Sequence, residues 1–184
     1  MYKNQYHTPA APAPVCISDA QEKRVLEDAQ DPAAALLRYR AAARNGGAEE
    51  VYELACFLSF YRSNESETAE AARLLKRLAK AGHREALRAL AWEYALGGLV
   101  RKNARKAFYL FGKLAAQGDV QGELCIAACY RDGIGTEKNP GAADRWLRYA
   151  HKDGSLLAEA VLMGGIRELL EKCPCYTRND WDVA

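Results

Sequence analysis

The sequence predicts an all-α protein, a solenoid of antiparallel helix pairs repeating every 36 residues. Two observations carry this reading. Columns appear when the chain is laid out at that period: Gly46, Gly82, Gly118 and Gly154; Ala35, Ala71, Ala107 and Ala143; Asp31, Glu67, Asn103 and Asn139; Leu54, Leu90, Ile126 and Leu162. Four columns in register without an inserted gap mark a repeat, which must be found before any motif inside it is believed. Between the columns the apolar residues recur at helical spacing, with Leu87, Leu90, Ala91 and Tyr94 on one face and Leu110, Leu114 and Ala115 on another. No segment shows the alternation of a strand.

Nine helices are expected. The first covers 19–29, where "SDAQ" at Ser18 to Gln21 resembles a capping box. The second covers 32–45: Asp31 can accept a hydrogen bond from an unpaired first-turn N–H, and Pro32 sits where a missing N–H costs nothing. A third, 49–61, and a fourth, 67–81, flank "RSNESET", which replaces a glycine loop. Glu67 is a poor cap, so Ser66 is expected to cap the fourth helix. Helices 84–96 and 103–117, then 120–131 and 140–152, repeat the unit with Asn103 and Asn139 as caps and Pro140 as the first helical residue. A ninth covers 156–171. The glycine column falls where the second helix of each pair ends, because glycine enters a left-handed C-cap without a Cβ clash. The alanine column lets neighbouring helices approach closely.

A unit running Ala-x-x-x-Leu-Ala-x-x-Tyr-x-x-Gly, then a cap, Lys-Ala and Ala-Ala-x-Gly resembles a Sel1-like repeat. Residues 86–118 carry nearly all of it: Ala86, Leu90, Ala91, Tyr94, Gly97, Asn103, Lys106, Ala107, Ala115, Ala116 and Gly118. Residues 122–154 carry much of it again, with Tyr130, Gly133, Gly135, Asn139, Ala143, Trp146 and Gly154, while the unit at 50–82 is degenerate. Tetratricopeptide repeats are a near neighbour, but their usual unit of about 34 residues lacks the glycine-bearing inner loop. The resemblance implies a right-handed α-solenoid of antiparallel helix pairs that binds other proteins.

Length and composition agree with this. The 184 residues suit one stack of short repeats, and 49% apolar with 27% charged residues is globular composition. A net charge of +2, with no run of cations interleaved with aromatics, argues against a nucleic-acid partner. No stretch approaches the roughly 20 apolar residues of a membrane span, so no membrane partner is expected. The N-terminal "MYKNQYHTPAAPAPVC" lacks the apolar core of a signal peptide. The expected organisation is an extended arm at 1–17, one solenoid at 18–171 and a tail at 172–184, in a cytoplasmic protein with reduced cysteines.

Each hint of chemistry has a plainer reading. "YRDGIGTEKNPGAADRW" at 130–146 holds two glycines, a lysine and a helix start, the ingredients of a phosphate loop. A helix precedes it, however, and Lys138 is followed by Asn139-Pro140 instead of Ser or Thr, so it reads as the joint of a helix hairpin. Trp146 shares the column of Leu74 and Leu110 and is expected in the core. Cys125 and Cys129 share a helix face and Cys173 and Cys175 follow the last helix. Four thiolates would suit zinc, but small buried thiols are ordinary helix filling. Some secreted cysteine-rich members of the resembled family act on β-lactams, yet the cysteine spacing that goes with that activity is absent here. His7, His83 and His151 read as solvated residues in the arm or at helix ends, and Glu49, Glu50, Glu53 and Glu123 as scattered carboxylates. No catalytic residue, cofactor or metal ligand is therefore assigned.

The expected site is the concave face lined by the first helix of each pair. Opposite the core stripe of helix 84–96 lie Glu85, Arg88, Trp92 and Leu96; one repeat earlier Tyr52 and Phe60 occupy such positions, and one repeat later Leu124. Trp, Tyr and Arg are the residues interfaces favour at their energetic centres. The alternative is that Trp92 and Tyr52 pack against adjacent helices. The expected function is a non-enzymatic adaptor for a protein or peptide. The resemblance also admits an immunity or inhibitor protein against a bacterial toxin, and behind it a β-lactam-type hydrolase.

Overall fold

The computed structural model describes residues 24, 27, 28, 30–61 and 64–152. Among them seven helices follow one another, with no strand: α1 (Pro32–Asn45), α2 (Ala48–Tyr61), α3 (Glu65–Lys80), α4 (Arg84–Leu96), α5 (Ala104–Ala115), α6 (Val120–Asp132) and α7 (Pro140–Lys152). Of the helix expected at 19–29 only Arg24, Glu27 and Asp28 are described, and they are helical. The helix expected at 156–171, the arm and the tail lie outside the described residues, as do Cys16, Cys173, Cys175 and His7. No described helix is long and apolar enough to cross a membrane.

Local hydrogen bonding explains why the helices begin where they do. The side chains of Asp31, Asn103 and Asn139 accept from the backbone N–H groups of Ala34, Lys106 and Ala142 at 3.1, 3.0 and 2.9 Å. The cap of α3 differs from expectation. Asn64 caps it, accepting from Glu67 N–H at 2.9 Å, and both Ser66 and Glu67 lie inside the helix. Where later units have a glycine loop, this one has an extra helical turn, which shifts the cap three residues upstream and leaves the 36-residue register intact. The remaining helices open on a second column: Gly47, whose N–H donates to Glu50 Oε2 at 2.6 Å, then His83 and Asp119.

The joints inside successive pairs are copies. Gly97 and Gly133 adopt φ of 80° and 77° and each donates its N–H to a carbonyl four residues back, at 2.9 Å. Seven residues after the helix, Asn103 N–H donates to Tyr94 O and Asn139 N–H to Tyr130 O, both at 2.7 Å. In the column at the pair ends, Gly82 and Gly118 have the expected positive φ, but Gly46 is extended at φ −98° and ψ −178°.

Each helix packs chiefly on its neighbours in the chain. Two kinds of helix result. The inner ones, α2, α4 and α6, bury eight residues each, on nearly every side. Of the outer ones, α3, α5 and α7 are amphipathic and bury a single stripe, while α1 buries Ala35 alone; Ala35, Ala71, Ala107 and Ala143 are all nearly inaccessible. Small residues there bring the two kinds of helix close. The same need shows at Gly122 of α6, where a Cβ would lie 2.6 Å from Leu114 Cβ and 2.7 Å from Ala115 N. Trp146 is half-buried, packed between the main core and a smaller cluster of Leu124, Ala127, Leu147 and Ala150.

Candidate partner-binding face

The residues expected to line a concave binding face divide by burial. Tyr52, Trp92 and Leu124 are core residues, 1%, 6% and 1% exposed. Trp92 sets its ring edge-on against Phe111 of α5, with centroids 5.2 Å apart. Tyr52 tilts against His83 at 5.1 Å. The expectation that these aromatics are offered to a partner is corrected on this point: an inner helix meets its outer mate on one side and the next repeat on the other, so the face opposite its core stripe is itself covered. Glu85 is exposed, and Phe60, Arg88 and Leu96 are half-buried.

The contact between repeats is itself repeated. Tyr52 reaches the first residue before α4, His83, and 36 residues on Arg88 reaches the first residue before α6, Asp119, in an ion pair. Asp119 is 5% exposed and uses its other oxygen to cap α6, accepting from Gly122 N–H at 2.8 Å. A guanidinium beside a nearly buried carboxylate supplies the charge-assisted bond that such burial requires.

His83 is not a solvated helix-end histidine. Its side chain is 11% exposed, Nδ1 accepts from Ala86 N–H at 3.3 Å, and Nε2 lies 3.2 Å from Glu49 Oε2. Nδ1 also lies 3.4 Å from Glu85 Oε2, so the ring sits between two carboxylates. Glu123 also departs from expectation, being 5% exposed. Glu93, which sequence reasoning did not single out, is 3% exposed and accepts from Leu99 N–H at 2.6 Å, pinning the joint after α4. Its only sequence signal is a carboxylate standing in the column of Phe57 and Cys129.

The chemistry on offer is limited. Cys56, Cys125 and Cys129 are buried thiols. Burial pushes the thiols of Cys56 and Cys129 up to about 12, which keeps them protonated and unreactive near neutral pH. Among the described residues no three His, Cys, Asp or Glu side chains group as metal ligands would.

No protein-family model and no curated protein matches the chain. Fifteen solved chains do match in structure. One is c5321 of uropathogenic Escherichia coli, described as a protective antigen displaying an SLR fold, with TM-score 0.57 and 24% identity over 65% of this chain. The match spans 26% of c5321, so the chain corresponds to about a quarter of it. A Sel1 repeat protein from Oxalobacter formigenes matches with TM-score 0.57 and 26% identity, over 70% of this chain and 96% of its own. Helicobacter pylori cysteine rich protein B matches with TM-score 0.51 and 21% identity, over 76% and 96%.

Proposed function

Since the chain is a Sel1-like repeat solenoid, we propose that it acts as a non-enzymatic scaffold that holds a partner protein or peptide along its inner helices. The observation that carries this is the contrast between a constant frame and variable side chains. The joint hydrogen bonds recur at 2.7 Å in successive units, while the equivalent half-buried positions at the ends of the inner helices hold Phe60, Leu96 and Asp132. A frame that fixes backbone positions and varies their chemistry suits recognition more than catalysis.

The accessible part of the face, Glu85 and Leu96 with the edges of Phe60 and Arg88, makes the contact, and Tyr52, Trp92 and Leu124 hold it rigid from beneath. Affinity purification from the native host with mass spectrometry tests the assignment. Glu85→Arg combined with Leu96→Ser is expected to lose a partner that the wild type captures, with the helical circular dichroism unchanged. Retention of every captured partner by a folded double variant overturns the site.

A further inference from the structure

Charge separates between the two kinds of helix. The outer helices hold thirteen Lys and Arg against four Asp and Glu, and the inner ones three against seven. On α1 two of the three cations have partners: Arg38 pairs with Asp28, and Arg40 with Glu70 of α3 at 2.8 Å. On α3 and α7, Arg73, Lys76, Lys80, Arg145, Arg148 and Lys152 are exposed and form no ion pair with any described residue. The negative end of a helix favours cations in its last turn. That accounts for Lys80 and Lys152 but not for the other four.

These cations stand in two matching rows. Offsets of three and seven residues separate them on both helices, which places each trio along one side of its helix with neighbours about 5–6 Å apart. Between α3 and α7 in the repeat lies α5, where the equivalent positions are Tyr109, Gly112 and the C-cap Ala116. Two cationic rows thus flank three equivalent positions that hold one ring and no charge, with Lys113 beside the ring. Tyr109 is 60% exposed, and Lys113 Nζ lies 4.9 Å from its ring centroid.

We propose that this surface docks an acidic amphipathic helix of a partner protein, laid along α5 with Asp and Glu facing both cationic rows and its apolar stripe on Tyr109. The surface is distinct from the inner-helix face proposed above. Carboxylates at i, i+3 and i+7 of such a helix match the spacing of the rows, and an exposed tyrosine suits an apolar anchor. Nucleic acid fits less well, because the net charge is only +2 and the inner helices are acidic, so a long polyanion is repelled beyond the strip.

The test uses the full chain and a fluorescent helical peptide of about 20 residues, with Glu on both flanks and Leu along the middle, beside a scrambled peptide of the same composition. The patterned peptide is expected to bind about tenfold more tightly than the scramble, and combined Arg73→Glu, Lys76→Glu and Arg145→Glu to remove that advantage. Ala116→Arg adds a cation yet fills one of the positions between the rows, so it is expected to weaken the patterned peptide about fivefold. Equal binding of the scramble, tighter binding by Ala116→Arg, or a preference for an oligonucleotide or phosphatidylserine vesicles over the patterned peptide overturns the proposal.

Discussion

The inner and outer helices obey different rules although one repeat produces both. An outer helix such as α5 has a narrow buried stripe, Ala107, Phe111, Leu114 and Ala115, and its remaining surface carries charge. An inner helix such as α6 buries Gly122 through Cys129 without a break. On the outer helices, then, tolerance to substitution depends on the face. On the inner ones it is low almost everywhere, and the residues available for recognition are confined to their ends.

The largest test of that contrast pairs two leucines. Leu124→Ala on α6 removes a side chain only 1% exposed and is expected to cost about 3 kcal/mol. Leu37→Ala on α1, where the side chain is 70% exposed, should stay within about 0.5 kcal/mol. Urea denaturation of both variants measures the difference, and equal costs would break the distinction. Two glycines sharpen it by sign. Gly122→Ala drives a Cβ into the α5 backbone and is expected to cost about 2 kcal/mol. Gly141→Ala on α7, where the nearest atom lies 3.7 Å away, is expected to stabilise by about 0.5 kcal/mol.

A third test uses pH. Cys56 and Cys129, both on inner helices, are held protonated to about 12 by burial. The unfolded chain releases those protons near pH 9 and then binds fewer than the folded one. Stability is accordingly full below about pH 9 and falls as pH rises toward 12, by up to roughly 1.4 kcal/mol per unit for each thiol. Tyr39, raised to about 12 by burial and by its bond to Asp28, adds to the fall above pH 10. Urea midpoints at pH 8 and 10.5 read it, and a flat profile contradicts the burial of the thiols.

The smallest effects concern caps. Asn103→Ala and Asn64→Ala should each cost about 1 kcal/mol, with Ser66→Ala within a few tenths, measured as shifts in thermal midpoint.

That last pair shows where sequence reasoning stops. Asp31, Asn103 and Asn139 were legible as caps because a cap is a contact over three residues, and the 36-residue columns found every described helix. Ser66 was a wrong choice because helix propensity and loop shape compete within "RSNESET", and the chain continued the helix instead of turning early. Trp92 and Tyr52 were misplaced for a different reason. Helical periodicity says which residues share a face, but only packing against the neighbouring helices, as of Trp92 on Phe111 of α5, says that the second face of α4 is covered as well. The cationic rows on α3 and α7 escaped notice because their cations are scattered along the chain and meet only in the stack. His83 and Glu93 escaped because burial of a lone polar residue leaves no pattern.

The reliance of each helix on its immediate neighbours has a kinetic consequence. Arg88 and Asp119, 31 residues apart, are about as distant in sequence as the principal contacts become. A chain built this way has little loop-closure entropy to overcome, so any hairpin can nucleate and growth proceeds by adding one helix at a time. It also frays from its ends. A ligand lying across α3, α5 and α7 would tie together three units that otherwise communicate chiefly through the intervening inner helices, and would convert end-fraying into a single cooperative unfolding step.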